Sequence, residues 1–259
     1  MRTVVVTGSA SGMGAATRKR LESDGQRVIG VDLRDAEVIA DLGTAEGRQA
    51  AIDGVTEAAG ASLDGLVTWA GLPGLTEQPG SLLVSVNYFG TVVLLEGLRP
   101  LLAAGTDAAA VAISSNSTTI QPQLPLEVTE ACLAGDEAAA REVGDAVGSL
   151  LVYPASKLAI ARWVRRNAPA WAADGITLNA VAPGAVETPL LQASREDPTV
   201  GTMVDTLPIP VGRPGQPEEL AAFVAFLLGP DARFICGSVL FVDGGTDALI
   251  RPDAVPVPL

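Results

Sequence analysis

A short β-branched run near the start of the chain ends directly in a glycine-rich turn, which limits the possible fold more than any other feature. Residues 3–6 predict a buried strand, residues 7–14 read TGSASGMG, and residues 15–23 have helical spacing. A turn between a strand and a helix is typical of dinucleotide-binding units, because its glycines and the helix amides can approach a pyrophosphate. The spacing is TGxxxGxG rather than GxGxxG, and the alternative is a turn that binds nothing.

Strand and helix signals then alternate along the chain. Further strands are predicted at 27–31, 66–68, 109–113, 177–181 and 238–242, and helices at 84–98 and 218–228. Such alternation favours parallel pairing through right-handed crossovers. We therefore expect a single α/β domain over residues 1–259, with a Rossmann-like, doubly wound parallel sheet and helices on both faces.

One segment, residues 121–148, departs from this alternation. It opens with Pro122 and Pro125 and then becomes rich in alanine and acidic residues. A structureless loop of this length is unusual in a compact domain, so we predict a helical insert with one or two short helices over 127–147. The proline- and valine-rich tail, 251–259, is expected to be extended and to pack on a neighbouring subunit.

The charge balance excludes several classes of function. A net charge of −13 and a pI near 4.4 disfavour binding to nucleic acids and to anionic membrane surfaces.

The two cysteines form no CxxC pair, and no uninterrupted apolar run of spanning length is evident. The first residues form a strand rather than a signal sequence, so cytoplasmic residence is expected.

The chain contains no histidine, so acid–base chemistry near neutral pH must use other side chains. Tyr153 and Lys157 are four residues apart and share one face of a predicted helix, with Pro154 expected in its first turn. A neighbouring ammonium would lower the pKa of the phenol. Alone, the pair could equally be an exposed helix pair.

Asp32 follows the second predicted strand. A carboxylate there can accept hydrogen bonds from ribose hydroxyls and would repel a 2′-phosphate, which favours NAD over NADP. Arg34, two residues further, leaves NADP open, and the alternative for Asp32 is an ordinary surface residue.

In order, the chain carries the glycine turn, Asp32, Ala70-Gly71, Asn87, Ser115, the Tyr153/Lys157 pair and PGAVET at 183–188. This series resembles the short-chain dehydrogenase/reductase family over essentially the whole chain. The resemblance is closest to the bacterial 3α-hydroxysteroid dehydrogenase/carbonyl reductases, through residues 34–42, 84–90 and 187–192 and the insert.

The resemblance implies four catalytic residues. Tyr153 would be the general acid or base, and Lys157 would lower its pKa and bind the nicotinamide ribose. Ser115 would hydrogen-bond the substrate oxygen, with Ser114 as the competing candidate. Asn87 would help to hold a water that links Lys157 to solvent.

The resemblance also implies NAD as the cofactor. Asp41 and Leu42 would contact the adenine, Gly71 would lie near the adenosine ribose, and Val186 and Thr188 would anchor the carboxamide. The full predicted set is Gly8, Ser11, Gly12, Met13, Gly14, Asp32, Asp41, Leu42, Gly71, Tyr153, Lys157, Val186 and Thr188.

Two features depart from the family pattern. Trp69 stands where the family often has asparagine, and the stretch between Ser115 and Tyr153 is long. The insert could cover a substrate cleft. It could also block the helix pairing by which many relatives form tetramers, so a homodimer through another surface is expected, with a tetramer as the alternative.

The predicted function is an NAD(H)-dependent interconversion of a secondary alcohol and a ketone, with a 3α-hydroxysteroid or another apolar carbonyl as substrate. Leu72, Pro73, Leu75, Leu190 and Leu191 could line an apolar cleft, and the loop 189–212 could set specificity. Alternatives are the same chemistry on a cyclic terpene alcohol, a quinone or a xenobiotic carbonyl, and an NAD-binding sensor without catalysis.

Overall fold

Seven parallel strands form the centre of the computed structural model, which describes residues 1–254. Their order across the sheet is β3-β2-β1-β4-β5-β6-β7. The order reverses between β1 and β4, which opens a crevice at the carboxyl ends of these strands. The strands are β1 Thr3–Thr7, β2 Arg27–Asp32, β3 Val38–Ile39, β4 Gly65–Thr68, β5 Ala109–Ile113, β6 Thr177–Pro183 and β7 Val239–Val242.

Helices cover both faces of this sheet. In chain order they are α1 Gly12–Ser23, α2 Ala45–Ala59, α3 Gly80–Leu83, α4 Gly90–Ala103, α5 Ser117–Ile120, α6 Leu126–Ala134, α7 Glu137–Val147, α8 Ser149–Ala173, α9 Pro189–Glu196, α10 Gly201–Asp205, α11 Pro217–Leu228 and α12 Thr246–Ile250. A π-helical turn, Val84–Phe89, joins α3 to α4, and a 3₁₀ turn, Pro230–Ala232, follows α11.

Alternation along the strands separates two apolar cores. In β1, Val4 and Val6 belong to the core under α1 and α11, whereas Val5 belongs to the core under α2, α4 and α8. Successive side chains of a strand point to opposite faces, so an unbroken apolar run serves both cores. The predicted doubly wound α/β fold is confirmed.

Several predicted boundaries were wrong. Helix α1 begins at Gly12 rather than residue 15, so two of the turn's glycines lie in its first turn. The helix predicted at 84–98 is part of a longer unit over 80–103, interrupted by the π-helical turn. Strand β3 and helix α2 were not predicted: β3 has only two residues, and α2 mixes alanine and glycine with charged residues.

That longer unit also corrects the expectation about membrane-length segments. Gly80–Ala103 is 24 residues long and apolar enough to cross a membrane by length and composition. However, 72% of its most apolar window is buried inside the fold. Its hydrophobicity therefore matches that of a core helix.

The insert forms two helices, α6 and α7, as predicted. They pack on α8, and α7 also packs on α3 and the π-helical turn. The contact with α3 is close: a Cβ added to Gly80 would lie 2.0 Å from the carbonyl oxygen of Gly144. The predicted contact of the tail lies largely outside the described residues, because only 251–254 of that segment are described.

Candidate active site

The glycine turn lies at the crevice between β1 and β4. Gly8 and Gly12 have φ of 65° and 52°, and a Cβ at Gly14 would lie 2.0 Å from the carbonyl oxygen of Gly8. Strand and helix can therefore approach only with glycine at position 14. Ser11 makes no side-chain cap at the start of α1, so the first-turn amides are available to an anion. This cradle fits a dinucleotide pyrophosphate.

Asp32 connects the end of β2 to this turn. Its Oδ2 accepts a hydrogen bond from the Ala10 amide at 3.0 Å, and its Oδ1 accepts one from the Leu33 amide at 2.7 Å. One cleft of about 380 Å³ is lined by Gly8, Ser11, Gly12, Met13, Gly14, Asp32, Asp41, Leu42, Gly71 and Thr188. The structure thus brings most of the predicted cofactor-binding residues together.

Val186 and Thr188 lie at the other end of the cleft, after β6. Thr188 caps α9 by accepting a hydrogen bond from the Leu191 amide at 3.2 Å, and its hydroxyl donates to the Val186 carbonyl. A Cβ at Gly12 would touch the Thr188 methyl group at 3.4 Å. This segment therefore closes against the glycine turn.

Tyr153 and Lys157 lie on α8, at the inner end of the cleft beside Ser114 and Ser115. The two serines differ in direction. The Ser114 hydroxyl donates to the Lys157 carbonyl at 2.9 Å, within the core, whereas the Ser115 hydroxyl interacts with Tyr153. The Ser115 oxygen also accepts hydrogen bonds from the amide and hydroxyl of Ser117. A substrate oxygen in the cleft can therefore meet two hydroxyls, those of Tyr153 and Ser115.

The Lys157 ammonium is buried behind these hydroxyls. It donates to the Ile113 carbonyl at 3.1 Å, and burial lowers the pKa of Lys157 to about 8. A Cβ at Gly71 would lie 3.4 Å from this ammonium and 3.1 Å from the Asn87 amide oxygen. A larger residue at position 71 would therefore crowd the space between the two polar groups.

Asn87 sits in the π-helical turn, where an extra backbone residue redirects side chains. Its amide holds the Leu72 backbone at both polar atoms: Oδ1 accepts from the Leu72 amide at 2.8 Å, and Nδ2 donates to the Leu72 carbonyl at 3.0 Å. The Asn87 oxygen keeps a second lone pair for a further donor. Asn87 therefore fixes the loop after β4 beside Lys157.

Two expectations about Tyr153 are corrected. Burial raises the pKa of Tyr153, and the Ser115 hydrogen bond only partly offsets this. The predicted lowering by Lys157 is not found: the lysine does not contribute to this shift, and its ammonium donates to the Ile113 carbonyl. Pro154 lies in the second turn of α8 rather than the first, because the helix begins at Ser149.

A hydrogen-bonded clasp joins the loop after β4 to the segment between α9 and α10. The two carboxylate oxygens of Asp197 accept from the amide of Thr76 at 2.8 Å and from its hydroxyl at 2.9 Å. The Thr76 amide is the main cause that lowers the pKa of Asp197 to about 2. Leu72, Leu190 and Leu191 line the inner cleft. Pro73 and Leu75 do not line it in the described part of the chain.

Some residues that shape the site were not predicted, because they act through hydrogen bonds that involve the backbone. The Thr7 hydroxyl accepts from the Ala70 amide at 3.0 Å, and the Ile113 carbonyl holds Lys157. Trp69, noted only as a departure, lines the cleft and is 8% exposed. No local pattern marks such contacts, because they join the ends of different strands.

Comparisons with known proteins agree with this arrangement. The short chain dehydrogenase family model matches residues 2–124, and the enoyl-(acyl carrier protein) reductase model matches residues 138–247. A 3-alpha-hydroxysteroid dehydrogenase/carbonyl reductase from Comamonas testosteroni is 44% identical over 97% of this chain and 99% of its own length. The chain belongs to the short-chain dehydrogenase/reductase family.

Two other members of this family are also similar. The crystal structure of a 3-alpha-hydroxysteroid dehydrogenase from Pseudomonas sp., complexed with NADH, has a TM-score of 0.93 and 48% identity, covering 97% of this chain and 99% of the other. A coniferyl-alcohol dehydrogenase from Pseudomonas sp. is 34% identical over 93% of this chain and 95% of its own length. The chain is thus a short-chain dehydrogenase/reductase oxidoreductase.

The burial of Lys157 gives a testable prediction. The buried ammonium lowers the free energy of unfolding at every pH at which Lys157 is protonated. The cost is about 1.4 kcal/mol for each unit by which burial lowers the lysine pKa. We expect Lys157→Met to abolish turnover yet raise the free energy of unfolding at neutral pH by about 2 kcal/mol, allowing for the lost hydrogen bond. The gain should shrink as the pH rises from about 8 towards the ordinary lysine value of 10.5, because the wild-type lysine then loses its charge.

Denaturant unfolding at several pH values measures this difference. Lys19→Met is the matched control, because Lys19 is exposed on α1 and is the other lysine of the chain. A Lys157→Met protein no more stable than wild type at neutral pH would show that the buried ammonium carries no such cost.

Proposed function

We propose that this enzyme interconverts a secondary alcohol and a ketone with NAD(H), and that 3α-hydroxysteroids or other apolar carbonyls are its substrates. The observation that carries the proposal is the pair of hydroxyls, Tyr153 and Ser115, at the inner end of a dinucleotide-shaped cleft. A sensor without catalysis would not need this pair beside a buried ammonium.

Tyr153 and Ser115 have different roles at the substrate oxygen. When bound, the nicotinamide supplies or accepts the hydride. Tyr153 gives its proton to the carbonyl oxygen in reduction and takes it back in oxidation. Ser115 donates a hydrogen bond to the same oxygen and stabilises the charge that develops there. Lys157 would bind the nicotinamide ribose, the role that the family resemblance implies for it.

NAD is the proposed cofactor because Asp32 lies at the adenosine end of the cleft. Its carboxylate would repel a 2′-phosphate. The nearby Arg34 side chain is 84% exposed and lies 3.9 Å from the Asp35 carboxylate, which partly neutralises its charge. The bound NADH of the Pseudomonas hydroxysteroid dehydrogenase supports this choice. Cytoplasmic residence remains a prediction of the sequence.

The apolar walls and the two hydroxysteroid dehydrogenase relatives favour a steroid. Leu72, Leu190 and Leu191 would contact a fused ring system close to Tyr153. A smaller cyclic or aromatic alcohol is the second candidate, supported by the coniferyl-alcohol dehydrogenase among the relatives.

Removal of one phenolic oxygen tests the chemistry. Tyr153→Phe should lower kcat by about a thousandfold or more, because no histidine can replace the proton donor. Tyr88→Phe is the matched control, since Tyr88 is the only other tyrosine and is buried in the core. Binding of NADH should persist in both variants, as measured by fluorescence titration. A Tyr153→Phe enzyme that keeps more than about a few per cent of the wild-type rate would contradict the assigned role.

A panel of alcohols and ketones tests the substrate class. Initial rates should be measured with 3α- and 3β-hydroxysteroids, monocyclic terpene alcohols, aromatic alcohols and quinones, each with NAD and NADP. We expect the highest kcat/KM for a 3α-hydroxysteroid with NAD. A preference for a non-steroid alcohol would favour the second candidate, and a preference for NADP would overturn the role of Asp32.

We also propose a homodimer. The insert covers parts of α8 and α3, and this leaves less of α8 free for the helix pairing by which the family resemblance suggests tetramers form. Sedimentation velocity should give the mass of two chains. A tetramer whose α8 helices can be crosslinked across subunits would contradict this proposal.

A further inference from the structure

The insert is joined to the cofactor cleft through one buried charge. Arg48 of α2 is 3% exposed. Its Nη1 donates to the carbonyl oxygens of Leu42 at 3.2 Å and Ser85 at 3.3 Å. The same guanidinium donates to both carboxylate oxygens of Glu137, the first residue of α7. Arg48 therefore links three segments that are distant in sequence.

Glu137 compensates the buried guanidinium. Its Oε1 also accepts from the Ser85 hydroxyl at 2.7 Å, and Arg141, one turn later in α7, donates to the same hydroxyl at 2.6 Å. A carboxylate at a helix N-terminus is further stabilised by the helix dipole. A buried charge without such a partner is strongly destabilising. The insert thus supplies the anion that Arg48 requires.

The two carbonyls held by Arg48 belong to the site. Leu42 forms part of the cofactor cleft at its adenosine end. Ser85 lies in the π-helical turn two residues before Asn87, whose amide holds the loop beside Lys157. One side chain thus fixes the backbone at both the adenosine end and the catalytic end.

We propose that Glu137 is a positioning residue for cofactor binding: through Arg48 it holds the backbones of Leu42 and Ser85 in the geometry that the dinucleotide requires. This proposal rests on the proposed NAD-dependent function. It assigns the acidic insert a role in the site itself, in addition to covering α8.

The first test compares Glu137→Gln with Glu142→Gln, a matched control on the exposed side of α7. Glu137→Gln removes the charge and keeps the shape. We expect its Kd for NADH to rise about tenfold, the usual scale for couplings within one hydrogen-bond network. Its KM for NAD should rise with it, whereas kcat at saturating NAD should change much less. Glu142→Gln should behave as wild type.

Two further variants separate positioning from simple stabilisation. Arg48→Met/Glu137→Leu replaces the ion pair with apolar side chains, a change that often restores stability. We expect its melting temperature to return towards the wild-type value while its NADH affinity stays weakened, because the Leu42 and Ser85 carbonyls have lost their donor. Arg48→Lys keeps the charge and the pairing with Glu137 but lacks the guanidinium fork. It should fold and also bind NADH more weakly.

The outcomes are distinct from those that test the function. Wild-type affinity for NADH in Glu137→Gln or Arg48→Lys would overturn the positioning role. A double variant with both wild-type stability and wild-type affinity would show that the pair only stabilises the fold. Failure of the wild-type protein to bind NADH or to oxidise any alcohol would instead overturn the proposed function.

Discussion

The buried ammonium of Lys157 is the interaction on which the site depends. It lies at the end of β5, where the Ile113 carbonyl accepts its hydrogen bond and Ser114 holds the carbonyl of the lysine itself. Such a charge is tolerated only where backbone dipoles and polar side chains replace water. Gly71 leaves the space in which Asn87 and Lys157 approach each other. The ends of β4 and β5, the π-helical turn and α8 are thus arranged around one cation.

A second buried cation, Arg48, organises the outer half of the cleft in a similar way. Both cations donate to main-chain carbonyls of residues that line the site, Leu42 and Ile113. They differ in how the cost of burying the charge is met. Arg48 is paired with the carboxylate of Glu137, whereas burial lowers the pKa of Lys157. A paired guanidinium suits a fixed structural link. A lysine with a lowered pKa can exchange protons near neutral pH, which suits a place beside the acid–base tyrosine.

Because the chain has no histidine, proton transfer to and from the substrate depends on the environment of Tyr153. Burial raises the pKa of the phenol, and the Ser115 hydrogen bond offsets only part of this shift. The positive charge of an oxidised nicotinamide would favour the phenolate. Under the proposed function, an oxidised cofactor would therefore help Tyr153 to act as a base.

The sequence by itself determined the α/β class, most of the strands, the two-helix insert and the pairing of Tyr153 with Lys157 on one helix. These features depend on short-range periodicity and on residue spacing, which a single chain displays directly. It did not reveal β3, because a strand of two residues is too short to show an alternation, or α2, whose alanines and glycines are mixed with charged residues. Only the tertiary structure decided that Ser114 faces the core while Ser115 meets Tyr153, that Asn87 clamps Leu72, and that Glu137 reaches Arg48. Each of these depends on hydrogen bonds between segments far apart in sequence, whose directions are set by packing rather than by local pattern.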